Sequence, residues 1–147
     1  FDGDRLRAAR PLPVRFWPGL LSRPRHGRDR DLPGREEAAD AFGGPFDHVV
    51  DEARGQGITI PIVPGIMPIA SFSKLARFAD TCGADIPRWM RKKFEGYGDD
   101  ADSIRAFGLD VVTELCERLL ARGAPGLHFY TLNQAGLTTE IVSRLGL

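Results

Sequence analysis

The chain has 147 residues, and its 20 basic and 20 acidic side chains leave a formal charge of zero. That length holds one domain at most and falls short of the roughly 200 residues that a closed eight-stranded β/α barrel needs. Neutrality argues against nucleic acid or an anionic membrane as partner, and no run of about 18 apolar residues could span a bilayer.

Residues 1–45 differ in kind from the rest. Nine arginines carry all of their basic charge, and prolines such as Pro11, Pro18, Pro24 and Pro33 interrupt any period. Such a stretch is expected to be irregular, with Phe16, Trp17, Leu20 and Leu21 as its apolar patch. It also lacks the apolar core of a secretory signal, which makes the cytoplasm the expected location.

From Phe46 a helical period begins, with Phe46, Val49, Val50 and Ala53 on one face and Gly55 and Gly57 at its end. The β-branched run Ile58, Ile60, Ile62 and Val63 then reads as a strand buried on both faces of a parallel sheet. Pro61 removes one ladder donor, and Pro64, Gly65 and Pro68 turn the chain outward at the strand's carboxyl end. In β/α folds that end carries the ligand, and a glycine there lets backbone approach it closely.

A second helix follows Pro68, capped by Ser71 or Ser73. Phe72, Leu75, Ala76, Phe78 and Ala79 are its apolar residues, and Gly83 closes it. A third opens at Ile86-Pro87, turning Trp89, Met90 and Phe94 inward and leaving Arg88, Arg91, Lys92 and Lys93 as a solvated basic face. Asp100 or Asp102 caps a long helix over residues 102–122, whose stripe is Ile104, Phe107, Val111, Leu115 and Leu119. Residues 127–132 form the second strand, in which alternation pairs Tyr130 with Leu132 on one face and Phe129 with Thr131 on the other. A last helix over residues 138–145, capped by Thr138 or Thr139, buries Ile141, Val142 and Leu145.

No nucleophile–base constellation is legible. His26 lies in the irregular stretch, His48 on the polar side of a helix, and His128 inside a strand as a structural, hydrogen-bonded histidine. Cys82 and Cys116, without CxxC or Cys/His spacing, read as buried reduced thiols rather than as a disulfide or a zinc site, and no metal is expected. Glycine-rich phosphate fingerprints are absent too.

The segment Val63-Pro64-Gly65-Ile66-Met67-Pro68-Ile69, then Phe72, Leu75-Ala76-Arg77-Phe78-Ala79, Ile86-Pro87-Arg88-Trp89 and Gly126-Leu127-His128-Phe129-Tyr130-Thr131-Leu132-Asn133, closely resembles the C-terminal part of methylenetetrahydrofolate reductase. The resemblance covers residues 46–147 and leaves residues 1–45 unmatched. It implies an α/β fold, the C-terminal fragment of a (β/α)8 TIM barrel with about its last two strands and their helices. The implied activity is FAD-dependent reduction of 5,10-methylenetetrahydrofolate to 5-methyltetrahydrofolate with NADH or NADPH, in one-carbon and methionine metabolism, by a homo-oligomer when complete.

By that resemblance Phe78 packs on the folate, Tyr130 and Leu132 line the site after the last strand, and Lys74 stands where the family commonly has a substrate-binding Gln. Lysine offers only donors and a charge, so its contact differs. The family's acid that protonates folate, and most residues that hold FAD, come from strands that this chain does not contain. No catalytic residue is therefore expected here, the cofactor-binding residues stay unassigned, and the fragment is not competent alone. The alternative is a non-catalytic interaction module, a quarter barrel whose strand edges pair with another chain.

Overall fold

A computed structural model of the protein describes residues 35–83 and 86–147, with side chains from Pro45 onward except that of Cys82. The apolar patch around Trp17 and the histidine at 26 lie outside the described residues. The chain is helix-rich, with five helices and one parallel pair of very short strands among the described residues.

The first helix, α1 (Arg35–Gly55), begins eleven residues before the expected start at Phe46 and runs through Pro45. Its opening stretch is rich in Glu and Ala, residue types with high helix propensity. Pro45 removes one backbone donor, and the pair Gly43-Gly44 before it carries no side chain to crowd the turn. Phe46 and Ala53 are buried as expected, but Val49 is 40% exposed. Phe46, Val50 and Ala53 follow the steps of four and three that face the core, and Val49 falls at the margin.

The expected strand over residues 58–63 does not form. Pairing is confined to β1 (Gly65–Ile66), and Ile60 and Val63 stand exposed rather than buried on two faces. Proline explains the shift. Pro61 and Pro64 have no amide to donate, so the ladder starts where Pro64 O accepts from His128 N at 3.0 Å. Ahead of it, Arg54 Nη1 donates to Ile58 O at 2.6 Å and holds the extended segment against α1.

Helix α2 (Phe72–Cys82) starts after Ser71, whose hydroxyl bonds Ser73 rather than capping the helix. It ends on Gly83 in the left-handed region, the conformation for which glycine is suited. Helix α3 (Arg88–Tyr97) follows Pro87 and buries Met90 and Phe94. Phe94 stacks on Phe72 at 5.0 Å and meets Phe107 edge-on at 5.1 Å, which joins α2 and α3 to α4 (Ala101–Ala121). Asp100 caps α4 by accepting from the amides of Asp102 and Ser103. These hydrogen bonds, led by the one from the Ser103 hydroxyl, hold its carboxyl below the usual range.

Helix α4 is the hub, packing on α1, α3 and the last helix, α5 (Ala135–Arg144). Val112, Cys116 and Leu119 on α4 and Ile141 on α5 are almost fully buried, and each large aliphatic side chain among them contributes about 1.5–3 kcal/mol. Burial also pushes the Cys116 thiol up to about 12, so it stays protonated at neutral pH. Ion pairs add orientation: Arg122 meets Asp47 of α1, Arg144 meets Asp110 at 2.7 Å, and Arg105 meets Glu140 at 3.2 Å. Exposed pairs of this kind stabilise by about 0–1 kcal/mol each.

Helix α5 starts three residues earlier than expected, with Gln134 at the cap position. Thr138 and Thr139 lie inside it. Thr139 donates back to Ala135 O, and the buried Thr138 hydroxyl lacks a partner among the described residues. Between α4 and α5 lies β2 (His128–Phe129), parallel to β1, with Gly65 opposite His128 and Ile66 opposite Phe129.

Candidate functional site

Both strands run in the same direction, so the loops that leave their carboxyl ends emerge side by side. Ile66 O accepts from Tyr130 N at 2.8 Å, the last ladder bond before the loops part. The loop after β1 leads into α2 and the loop after β2 leads into α5, and between them opens a groove of about 430 Å³. Its buried base is Ile69, Leu75 and Leu137, each at most 5% exposed. Met67 and Pro68 complete this apolar lining.

All four site residues expected from the resemblance line this one groove: Lys74 and Phe78 from α2, and Tyr130 and Leu132 from the loop after β2. The route by which the last two arrive differs from the expectation. Strand geometry ends at Phe129, so alternation does not place Leu132. Instead residues 131–134 make a tight turn, closed by Gln134 N donating to Thr131 O at 2.8 Å, with positive φ at both Leu132 (48°) and Asn133 (64°). Positive φ at both central residues is the signature of a type I′ turn. Asn tolerates that region, but Leu does not favour it, so Leu132 stores backbone strain while holding its side chain 71% exposed at the groove. Thr131, expected on the face opposite Tyr130 and Leu132, also lines the groove, whereas Phe129 packs toward the core.

Tyr130 is located by a contact that sequence reading missed. A Cβ on Gly65 would lie 2.5 Å from Tyr130 Cε2 and 3.0 Å from its hydroxyl oxygen. The ring therefore lies across bare backbone, which is the close approach that glycine permits, though to a side chain rather than directly to a ligand. The His128 ring meets Tyr130 edge-on at 5.0 Å. His128, expected as a structural histidine inside the strand, is exposed on that open side of β2.

Arg77, Thr81, Gln134 and Ser71 also line the groove and were not expected as site residues from sequence. A signal for the first two existed: Lys74, Arg77, Phe78 and Thr81 follow the steps of three and four that make one helix face. No Asp or Glu lines the groove, so the arrangement can bind and orient a flat, partly apolar ligand but offers it no carboxylic acid. Among the described residues no group of three or more His, Cys, Asp and Glu could hold a metal ion, and no helix is long and apolar enough to cross a membrane.

Comparison with known proteins finds the family model "Methylenetetrahydrofolate reductase" matching residues 44–146. "Methylenetetrahydrofolate reductase 1" of Schizosaccharomyces pombe is 40% identical over 98 residues, 67% of this chain and 16% of the relative. "Methylenetetrahydrofolate reductase (NADH) 1" of Arabidopsis thaliana is 39% identical over 102 residues, 69% and 17% of the two chains. "5,10-methylenetetrahydrofolate reductase" of Escherichia coli is 35% identical over 96 residues, 65% and 32%. The chain thus spans between 16% and 32% of the length of these relatives.

Proposed function

This chain belongs to the methylenetetrahydrofolate reductase family, and from that premise we propose that residues 46–147 supply the C-terminal part of a (β/α)8 barrel, about its last two strands with their helices. In the complete enzyme its groove forms one wall of the site where 5,10-methylenetetrahydrofolate is reduced to 5-methyltetrahydrofolate with NADH or NADPH. The observation that carries this reading is the meeting of Lys74, Phe78, Tyr130 and Leu132 in one groove at the carboxyl ends of two parallel strands. That is the end at which β/α barrels do their chemistry.

The division of labour follows from the lining. Phe78 and Tyr130 offer ring faces and edges to a planar substrate, Leu132 adds apolar cover that keeps water from it, and Lys74 donates to an acceptor on it. Without a carboxylic acid the groove positions substrate rather than protonating it. FAD is the cofactor that family membership implies, and when bound it supplies hydride transfer. The residues present do not fit a whole FAD. Two-residue strands with open edges wall one face of a flat ring and leave the other face uncovered.

The test is to graft residues 46–147 in place of the matching segment of the Escherichia coli relative and to follow NADH oxidation with methylenetetrahydrofolate as acceptor. Turnover at a rate comparable with the parent supports the reading. A folded, flavin-bearing graft that reduces no folate refutes it. The exposed Ile60 and Val63 favour a second reading, in which this extended segment, continuous with β1, pairs with another chain. Concentration-dependent self-association in sedimentation, abolished by Ile60→Lys, would support that one.

A further inference from the structure

The two cations that line the groove differ from the arginines of the helical core. Arg105 and Arg118 on α4, Arg122 at its C-terminal cap and Arg144 on α5 are each matched by a carboxylate. Lys74 and Arg77 are both exposed, stand one turn apart on the groove face of α2, and have no ion pair among the described residues. Asp80, the nearest acid along α2, is not part of the lining. The groove thus joins an apolar base to a rim of charge +2 with no acid to balance it.

We propose that Lys74 and Arg77 form an oxyanion-binding rim that takes the two carboxylates of a glutamate tail while the ligand's ring system lies on the apolar base. The inference rests on the substrate reading above and assigns the two cations a part of that substrate. Two carboxylates on one residue match two cations one helical turn apart, and Arg77 can grip its partner through two parallel N–H donors where Lys74 acts as a point charge. Thr81 on the same face, and Gln134 across the groove, add neutral polar groups beside the rim. A dinucleotide's phosphates carry the same oxyanion chemistry, so the experiment must separate the two sources.

The full 147-residue chain is titrated with pteroate, with folate and with NADH, read by saturation-transfer NMR, for the wild type and for the double variant Lys74→Gln, Arg77→Gln. Folate is expected to bind about two- to fivefold tighter than pteroate, whose single benzoate carboxylate can meet only one of the two cations, the range for one further solvent-screened ion pair. That ratio should shrink toward one at high salt and in the double variant. Loss of affinity for NADH alone would assign the rim to phosphate and overturn the glutamate assignment. A folate-to-pteroate ratio equal in wild type and variant would overturn the rim while leaving the substrate reading in place. Absence of binding by pteroate and folate alike would overturn the rim, and the grafted reductase described above decides the substrate reading. Melting temperatures should agree, since both side chains are exposed; a variant that melts early is replaced by the single variants, read in the same way.

Discussion

Replacing Gly65 by Ala tests whether Tyr130 is held where the groove requires it. The new methyl carbon would lie 2.5 Å from Tyr130 Cε2, whereas carbon atoms rest about 3.5–4.0 Å apart, so one of them must give by about 1 Å or more. The backbone cannot give easily, because Tyr130 N is bonded to Ile66 O at 2.8 Å. The ring must therefore swing away from Gly65. Forced repacking of this kind costs about 1–3 kcal/mol. Against it stands a gain of about 0.4–1 kcal/mol from a less flexible unfolded chain, since Gly65 is not among the glycines at positive φ. The net expectation is destabilisation by up to about 2.5 kcal/mol, read by thermal melting of the chain. In the grafted reductase, a wall displaced by about 1 Å should lower kcat/KM for methylenetetrahydrofolate by as much as about a hundredfold. In a Tyr130→Ala background the same substitution should do almost nothing further, because the three atoms nearest the new methyl, all of the Tyr130 ring, are gone. A Gly65→Ala chain that melts later and turns over normally would refute the argument, for it would mean that the ring does not occupy that space.

Other changes separate strain, packing and charge. Leu132→Gly should stabilise the chain by about 1 kcal/mol by relieving positive φ, yet cost the grafted enzyme about tenfold in kcat/KM, measured by melting and steady-state kinetics together. Phe129→Ala, which removes a ring packed on the core from only the inner side, should lower stability by about 2–3 kcal/mol and, in the graft, leave Leu132-dependent binding intact. Gly108→Ala should destabilise by about 1–3 kcal/mol in a denaturant titration, because its Cβ would meet Ile69 O at 2.6 Å. Asp100, whose carboxyl is held below the usual range by Ser103, contributes stability that is fully present above the ordinary carboxylate pKa and is lost as pH falls through its lowered value. Melting followed from neutral into acid should accordingly show a shallower loss for Asp100→Asn than for the parent.

The sequence by itself determined the helices from α2 onward and their inward faces. Those elements are written locally: apolar residues at steps of three and four select Met90, Phe94, Leu115, Leu119 and Ile141, Asp100 reaches amides two and three residues ahead, and Gly83 takes the left-handed turn that ends α2. The family motif also named four residues that the fold brings together in one groove. Tertiary structure decided the rest. A parallel strand has no partner nearby in the chain, so β1 exists only where Gly65 and Ile66 find His128 and Phe129, more than sixty residues later, and where proline does not remove the donor. The close approach of Gly65 to Tyr130 and of Gly108 to Ile69 is equally silent in sequence, because a missing side chain announces no neighbour. Leu132 shows the same limit most clearly: alternation along a strand would place it beside Tyr130, and only the turn that joins β2 to α5 forces it into positive φ and out over the groove.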